Sequence, residues 1–379
     1  LTLANGTAYY VSVRSTDNVG NVSDVVSTDG ITIDTDDPIL GTPFEGSFTA
    51  DVDYQNSDTT LIIVWTGSDT ASGIAQYEYA LGTASADSNT VIWTSSGTDT
   101  AVILTNLTLA EDTTYYLSAR ATDAAGNVSD NVTGDGITID MTAPAGTIVN
   151  DGTGADIAYT GSDSTLSAVW PGFTEAVSGI SKYEVAIGTS SGGTDVVDWT
   201  SNGTDTSLTK TSLSLSSGTA YYISVKATDN AGNESTTITS DGVTVDTAAP
   251  VVGNVFDGTD TDIDWTNDTT SLTATWSGFS DTLSGIQKYE YAIGTSSGGT
   301  DVVAWMDNST DTTITNTDLT LANGTAYYIS VRSTDNVGNV SDVVTTDGIT
   351  VDTDDPILGT PFEGSFTADV DDPGPETTR

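Results

Sequence analysis

The sequence predicts an all-β chain of tandem seven-stranded antiparallel β-sandwiches, with no helices of note. Three observations carry that reading. A ten-residue segment recurs at one fixed spacing. Apolar residues alternate with a period of two. No stretch carries the 3.6-residue apolar period of an amphipathic helix.

The repeat sets the organisation. Leu1-Thr2-Leu3-Ala4-Asn5-Gly6-Thr7-Ala8-Tyr9-Tyr10 returns at residues 319–328, with relatives at 107–116 and 213–222, each offset by 106 residues. Residues 1–53 and 319–371 are nearly identical, so a unit three repeats long lies over the shorter one. Boundaries fall at the Asp/Pro stretches after the last strand of each copy. They give complete domains at 37–142, 143–248 and 249–354, the end of a preceding domain at 1–36, and the start of a further repeat or a tail at 355–379.

Within a copy the strands follow in order. The second reads Leu61, Ile63, Trp65, with Leu166, Ala168, Trp170 and Leu272, Ala274, Trp276 in the other copies. The third reads Tyr77, Tyr79, Leu81, with equivalents from Tyr183 and Tyr289. A short strand carries Trp93, Trp199 or Trp305. A long one carries Tyr327, Ile329, Val331, and Ile349-Thr350-Val351 closes the copy. The alternation puts Trp65, Trp170 and Trp276 in the cores.

Leu321-x-x-Gly324-Thr325-x-Tyr327 resembles the tyrosine corner of fibronectin type III domains, and Leu3/Gly6/Tyr9 and Leu215/Gly218/Tyr221 match it. Asp112 stands in the glycine place of the copy with Leu109 and Tyr115. Thr228-Asp229-Asn230-Ala231-Gly232-Asn233 and Val245-Asp246-Thr247-Ala248-Ala249-Pro250 resemble bacterial immunoglobulin-like repeats of giant surface proteins. The resemblance implies an extracellular or cell-surface array from a bacterium or archaeon. It is specific for the sandwich and unspecific for the partner.

Composition narrows the function. Asp and Glu number 54 against 8 Lys and Arg, for a net charge of −46. Such an excess repels nucleic acid and anionic membrane surfaces. The 7 Trp and 15 Tyr in alternating patterns argue against an acidic disordered chain. Cys and His are absent, no serine sits in a nucleophile elbow, and the acids recur in every copy, so the chain reads as no enzyme. No apolar run is long enough for a membrane span.

The hard oxygen ligands suit Ca²⁺. Acids recur at three places: Asp34, Asp36 and Asp37, Asp140, Asp246 in the linkers; Asp69, Glu175 and Asp281 in the turn after the second strand; and Asp123, Asp229 and Asp335 after the long Tyr-rich strand. In a fibronectin-like sandwich these turns and the incoming linker share one end. Asp34/Asp36/Asp37 are therefore expected to meet Asp69 and Asp123, Asp140 to meet Glu175 and Asp229, and Asp246 to meet Asp281 and Asp335. The bland alternative is that the same acids cap turns and solvate loops.

Register predicts exposed pairs Glu78–Arg120, Glu184–Lys226 and Glu290–Arg332. Trp265 has no counterpart in the other copies and is a candidate contact residue. Asn-x-Ser/Thr sequons recur, among them Asn127, Asn233 and Asn339 beside the expected cation turns. The expected function is a structural stalk or adhesin arm stiffened by Ca²⁺, its partners being adjacent domains and lateral copies. A self-assembling filament, sheath or surface-layer subunit, and a glycan- or ice-binding array, stand as alternatives.

Overall fold

The computed structural model describes residues 1–259 and 261–358. Most of the segment 355–379, expected as the start of a further repeat or a tail, lies outside the described residues. Among the described residues every regular element is a strand.

In the first complete repeat, Phe44–Glu45, Leu61–Val64 and Ala101–Leu104 form a three-stranded sheet with Leu61–Val64 in the middle. The second sheet runs Val91–Gly97, Ile74–Gly82, Thr114–Asp123, Ile137–Ile139, Tyr54–Gln55. All its pairs are antiparallel except Tyr54–Gln55, which lies parallel to Ile137–Ile139. The third repeat repeats this order. Leu272–Ser277 lies between Asn254–Asp257 and Thr313–Asn316, and Trp265–Thr266 runs parallel to Ile349–Val351. In the middle repeat Leu166–Val169 lies between Asn150–Asp151 and Ser207–Lys210. Such a sheet pair is the fibronectin type III and immunoglobulin-like sandwich.

Packing divides the chain into two compact units. One comprises Leu1–Ala158, Ser164–Ser214 and Thr219–Val243; the other comprises Tyr159–Asp163, Leu215–Gly218 and the chain from Thr244 onward.

The seven strands expected per repeat are modified at both ends of the copy. The first strand leaves the three-stranded sheet at Gly46, crosses the edge of the sandwich, and joins the other sheet at Tyr54. The last strand divides into Val132–Thr133 and Ile137–Ile139 around Gly136. Gly46 and Gly136 have φ of 95° and 97°, a region that side chains with a Cβ rarely adopt. The two breaks face each other and open a notch at the sandwich edge.

Alternation places the cores as expected. Trp65, Trp170 and Trp276 are 1%, 3% and 3% exposed. Trp276 packs edge-on against Tyr289, with ring centroids 5.7 Å apart, within a cluster holding Val255, Phe279, Ile293 and Val331. Tyr115 and Tyr327 close the corner: their hydroxyl oxygens accept the N–H of Ala110 and Ala322 at 2.9 and 2.8 Å. The copy with Asp112 keeps the corner by holding Asp112 at φ 53°.

The predicted charge pairs form across the strands. Arg120 and Arg332 reach Glu78 and Glu290 at 2.8 and 3.0 Å, and Lys226 reaches Glu184 at 3.6 Å. The same cations also cover the faces of Trp93, Trp199 and Trp305 at 4.4, 5.2 and 4.4 Å. That contact leaves those rings half-buried.

Candidate metal centres at the repeat junctions

Each junction starts from one short turn. In Asp123-Ala124-Ala125-Gly126-Asn127 the Oδ1 of Asp123 accepts the N–H of Gly126 and Asn127 at 2.7 and 2.8 Å. Its Oδ2 accepts the side-chain amide of Asn127 at 2.7 Å. That amide also donates to the carbonyl of Asp34 in the incoming linker at 3.3 Å. Asn233 and Asn339 make the same double contact. They donate to Asp229 and Asp335, and to the linker carbonyls of Asp140 and Asp246, at 2.7–3.0 Å.

The turn after the second strand approaches from the other side. Asp69 Oδ1 accepts the N–H of Ser72 and Gly73 at 2.9 and 2.6 Å, and Asp281 Oδ1 accepts that of Gly285 at 2.7 Å. Linker carboxylates then touch this turn directly. Asp34 Oδ2 accepts Ser72 N–H at 2.9 Å, and Asp246 Oδ2 accepts Ser284 N–H at 3.1 Å. One oxygen each from Asp34, Asp69 and Asp123 lies within 4.8 Å of the others, and so it is for Asp246, Asp281 and Asp335.

The middle junction differs in one residue. Glu175 stands where the others have Asp, and its longer side chain accepts the N–H of Val177 at 2.8 Å and that of Gly179. Asp140 is fully buried; its Oδ1 accepts Thr142 N–H at 3.1 Å, and its Oδ2 has no hydrogen-bond partner. Asp229 is held by Asn233 as above. Of the first linker's three acids, only Asp34 joins the convergence. Asp36 accepts the Asn5 amide at 2.6 Å, and Asp37 is exposed.

The electrostatics favour ionised ligands. Burial pushes Asp123 up, but the Asn127 side chain and the surrounding N–H groups outweigh it and hold the carboxyl below its usual range. Burial likewise pushes Glu175 up, and the N–H groups of Val177 and Gly179 among others outweigh it. A carboxylate oxygen has more than one lone pair, so these turn bonds leave room for a cation on the same atoms. Turn capping and cation binding are therefore compatible here.

The amide nitrogens of the sequon residues Asn127, Asn233 and Asn339 are engaged in the junction. Replacing Asn339 by alanine is expected to remove two hydrogen bonds and cost about 1–2 kcal/mol locally. Hydrogen exchange checks this: amides at 246–252 should lose protection while those of the Leu272–Ser277 strand keep it. Unchanged exchange at 246–252 would show that the clamp does not hold the linker.

Trp265 is 63% exposed beside Thr266, Asn267 and Asp352, as a contact residue would be. Three further acidic groups escape the sequence reading: Glu45/Asp51/Asp135, Asp151/Asp156/Asp241 and Asp257/Asp262/Asp347. Their signal was a recurring acid-glycine pair at both ends of each copy, such as Asp151-Gly152 with Asp241-Gly242. By itself that pair reads only as turn chemistry.

No protein-family model matches the chain. It is 32% identical over 302 residues to exoglucanase B of Cellulomonas fimi, covering 75% of this chain and 24% of that protein. The chain thus spans about a quarter of the length of that relative. Among solved structures it is similar to the FN1–FN3 domains of chicken contactin, at 17% identity and a TM-score of 0.30 over 83% of this chain and 99% of that one. A titin segment gives 16% and 0.34 over the same shares. The fibronectin(III)-like modules of Clostridium thermocellum CbhA give 17% and 0.30 over 54% of this chain and 94% of that one.

Proposed function

We propose that this chain is a non-enzymatic, extracellular structural array, a stalk or adhesin arm whose joints are stiffened by Ca²⁺. The observation that carries the reading is the convergence of linker, second-strand turn and long-strand turn carboxylates on one point at two junctions. Three hard oxygen ligands from separate segments suit Ca²⁺ in type and charge. A cation there ties the linker to both turns, where the asparagine clamp alone leaves clustered negative charge. Without it, the net charge of −46 works toward separating the joined parts.

Repetition supports a spacer. Equivalent residues line every copy, and repeat arrays change length by duplication without disturbing the neighbours' cores. The likeness to exoglucanase B favours a second reading, in which the array spaces functional modules of a polysaccharide-acting protein. Both readings need the same stiff joints.

Small-angle scattering of the 379-residue chain, at fixed ionic strength, tests the joints. Calcium is expected to lengthen the maximum dimension and narrow the range of conformations, and chelator to reverse both. Identical profiles would leave the junction acids as turn chemistry and turn attention to lateral self-assembly.

A further inference from the structure

The notch between the divided first and last strands holds a buried acid in every repeat. Glu45, Asp151 and Asp257 are each fully buried. In each, one oxygen is used: Glu45 Oε1 accepts Leu117 N–H at 2.8 Å, and Asp151 and Asp257 Oδ2 accept the N–H of Gly242 and Gly348 at 3.1 and 3.2 Å. The other oxygen, Glu45 Oε2, Asp151 Oδ1 or Asp257 Oδ1, is buried and has no hydrogen-bond partner.

Two exposed carboxylates join each buried one. Asp51, Asp156 and Asp262 come from the crossing loop, and accept the N–H of Glu45, Asp151 and Asp257 at 3.2, 2.8 and 3.1 Å. Asp135, Asp241 and Asp347 come from the break in the last strand. In each group one oxygen from every member lies within 4.8 Å of the others.

We infer that each repeat holds a second divalent cation of the calcium class in this notch, bound by the buried acid, the crossing-loop Asp and the last-strand Asp. An isolated buried carboxylate must be neutralised. A proton on the orphan oxygen would neutralise that carboxyl alone and leave the two facing carboxylates without a counter-charge. A cation instead satisfies that oxygen and offsets the two facing charges. It also pins the point where the chain changes sheets.

The first repeat shows that the group survives changes around it. Glu45 is longer than Asp, and its loop to Asp51 is one residue longer than the loops from Asp151 to Asp156 and from Asp257 to Asp262. Elsewhere Ser240 and Thr346 hydroxyls accept the N–H of Ile223 and Ile329. Gly134 takes that place in the first repeat, and a Cβ there would lie 2.7 Å from Glu45 Oε1. Glu45 fills the space and takes over the N–H of Leu117. Side chain, loop and support all differ, yet three carboxylates still meet.

The site is separate from the junctions, so the two are tested apart. Calcium binding to the full chain is counted by titration calorimetry, for wild type and for D135N/D241N/D347N, three exposed positions outside both the core and the junctions. The expected result is loss of three calcium ions per chain, or at least tenfold weaker binding at three sites, with the remaining sites unchanged. Equal stoichiometry and affinity in the two proteins would overturn the inference, as would a wild type that binds no calcium. D257N serves as a second variant: it should lose one ion while melting in chelator at or above the wild-type temperature. If it binds as many ions as wild type, the third repeat holds no such site.

Discussion

Replacing Trp276 by alanine should cost the third repeat about 3–5 kcal/mol, because truncating a packed indole loses both burial and cavity contacts. The ring is 3% exposed and stacks edge-on with Tyr289. Its Nε1 has no hydrogen-bond partner, so its contribution is apolar filling. At about 4–8 °C per kcal/mol for a domain of this size, one calorimetric transition should fall by roughly 15 °C or more. The others should stay, since repeats in an array have largely local stability. A uniform fall of the whole melt would overturn the separation of the repeats into independent domains. Trp305→Ala is the contrast: the half-buried ring lies 4.4 Å from the Arg332 guanidinium, a contact worth about 0.5–1 kcal/mol. It should move the same transition by only a few degrees.

The two tryptophans also show what the sequence makes legible. Trp276 alternates with Thr273 and Thr275, and that period alone places it inside. Glu290 and Arg332 are found by register, because both lie on neighbouring long strands with one apolar face. The cation–π contact of Arg332 with Trp305 needs a third strand, whose register is shifted by a bulge between Tyr291 and Ile293. Periodicity carries no information about such a shift. The acids of the first and third junctions are legible because the resemblance supplies a shared end for linker and turns; at the middle one Asp140, Glu175 and Asp229 form no such group among the described residues, Glu175 instead accepting the N–H of Val177 and Gly179. The notch acids are not legible. Asp262 lies near Asp257 in sequence, but Asp347 reaches them only because the first strand changes sheets and runs parallel to the last. The glycines at 258 and 348 mark both breaks, yet neither says that the breaks face each other.

The cation-free chain should become less stable as pH rises from about 4 to about 7, against the habit of acidic proteins that weaken in acid. Burial pushes Glu45 up to about 7, Asp151 to about 6 and Asp257 to about 7, despite the N–H groups that favour their ionised forms. In the unfolded chain the same groups ionise near their ordinary values. Between those limits the folded chain binds more protons than the unfolded one, so stability falls with rising pH. Below the ordinary carboxylate range both states are protonated and the effect vanishes. Each tenfold difference in acidity is worth about 1.4 kcal/mol, so the loss is of the order of 3–4 kcal/mol per repeat.

Asp123 and Glu175 act in the opposite sense. Hydrogen bonds hold them below the usual range, and the stability they contribute is lost as pH falls through it. The two trends together place the optimum of the chelated chain near the ordinary carboxylate range, at about pH 4. Thermal melts in chelator from pH 3.5 to 8 measure this directly. General charge repulsion also grows with pH, and Asp151→Asn separates the two causes. It should flatten the slope of one transition between pH 4 and 7 and leave the others steep. Saturating calcium should flatten all three in wild type, because a bound cation replaces the proton as the counter-charge. A slope indifferent to both Asp151→Asn and calcium would mean that these carboxyls ionise freely in the folded chain. The notch would then be hydrated, and neither the inverted pH dependence nor its suppression by calcium would survive.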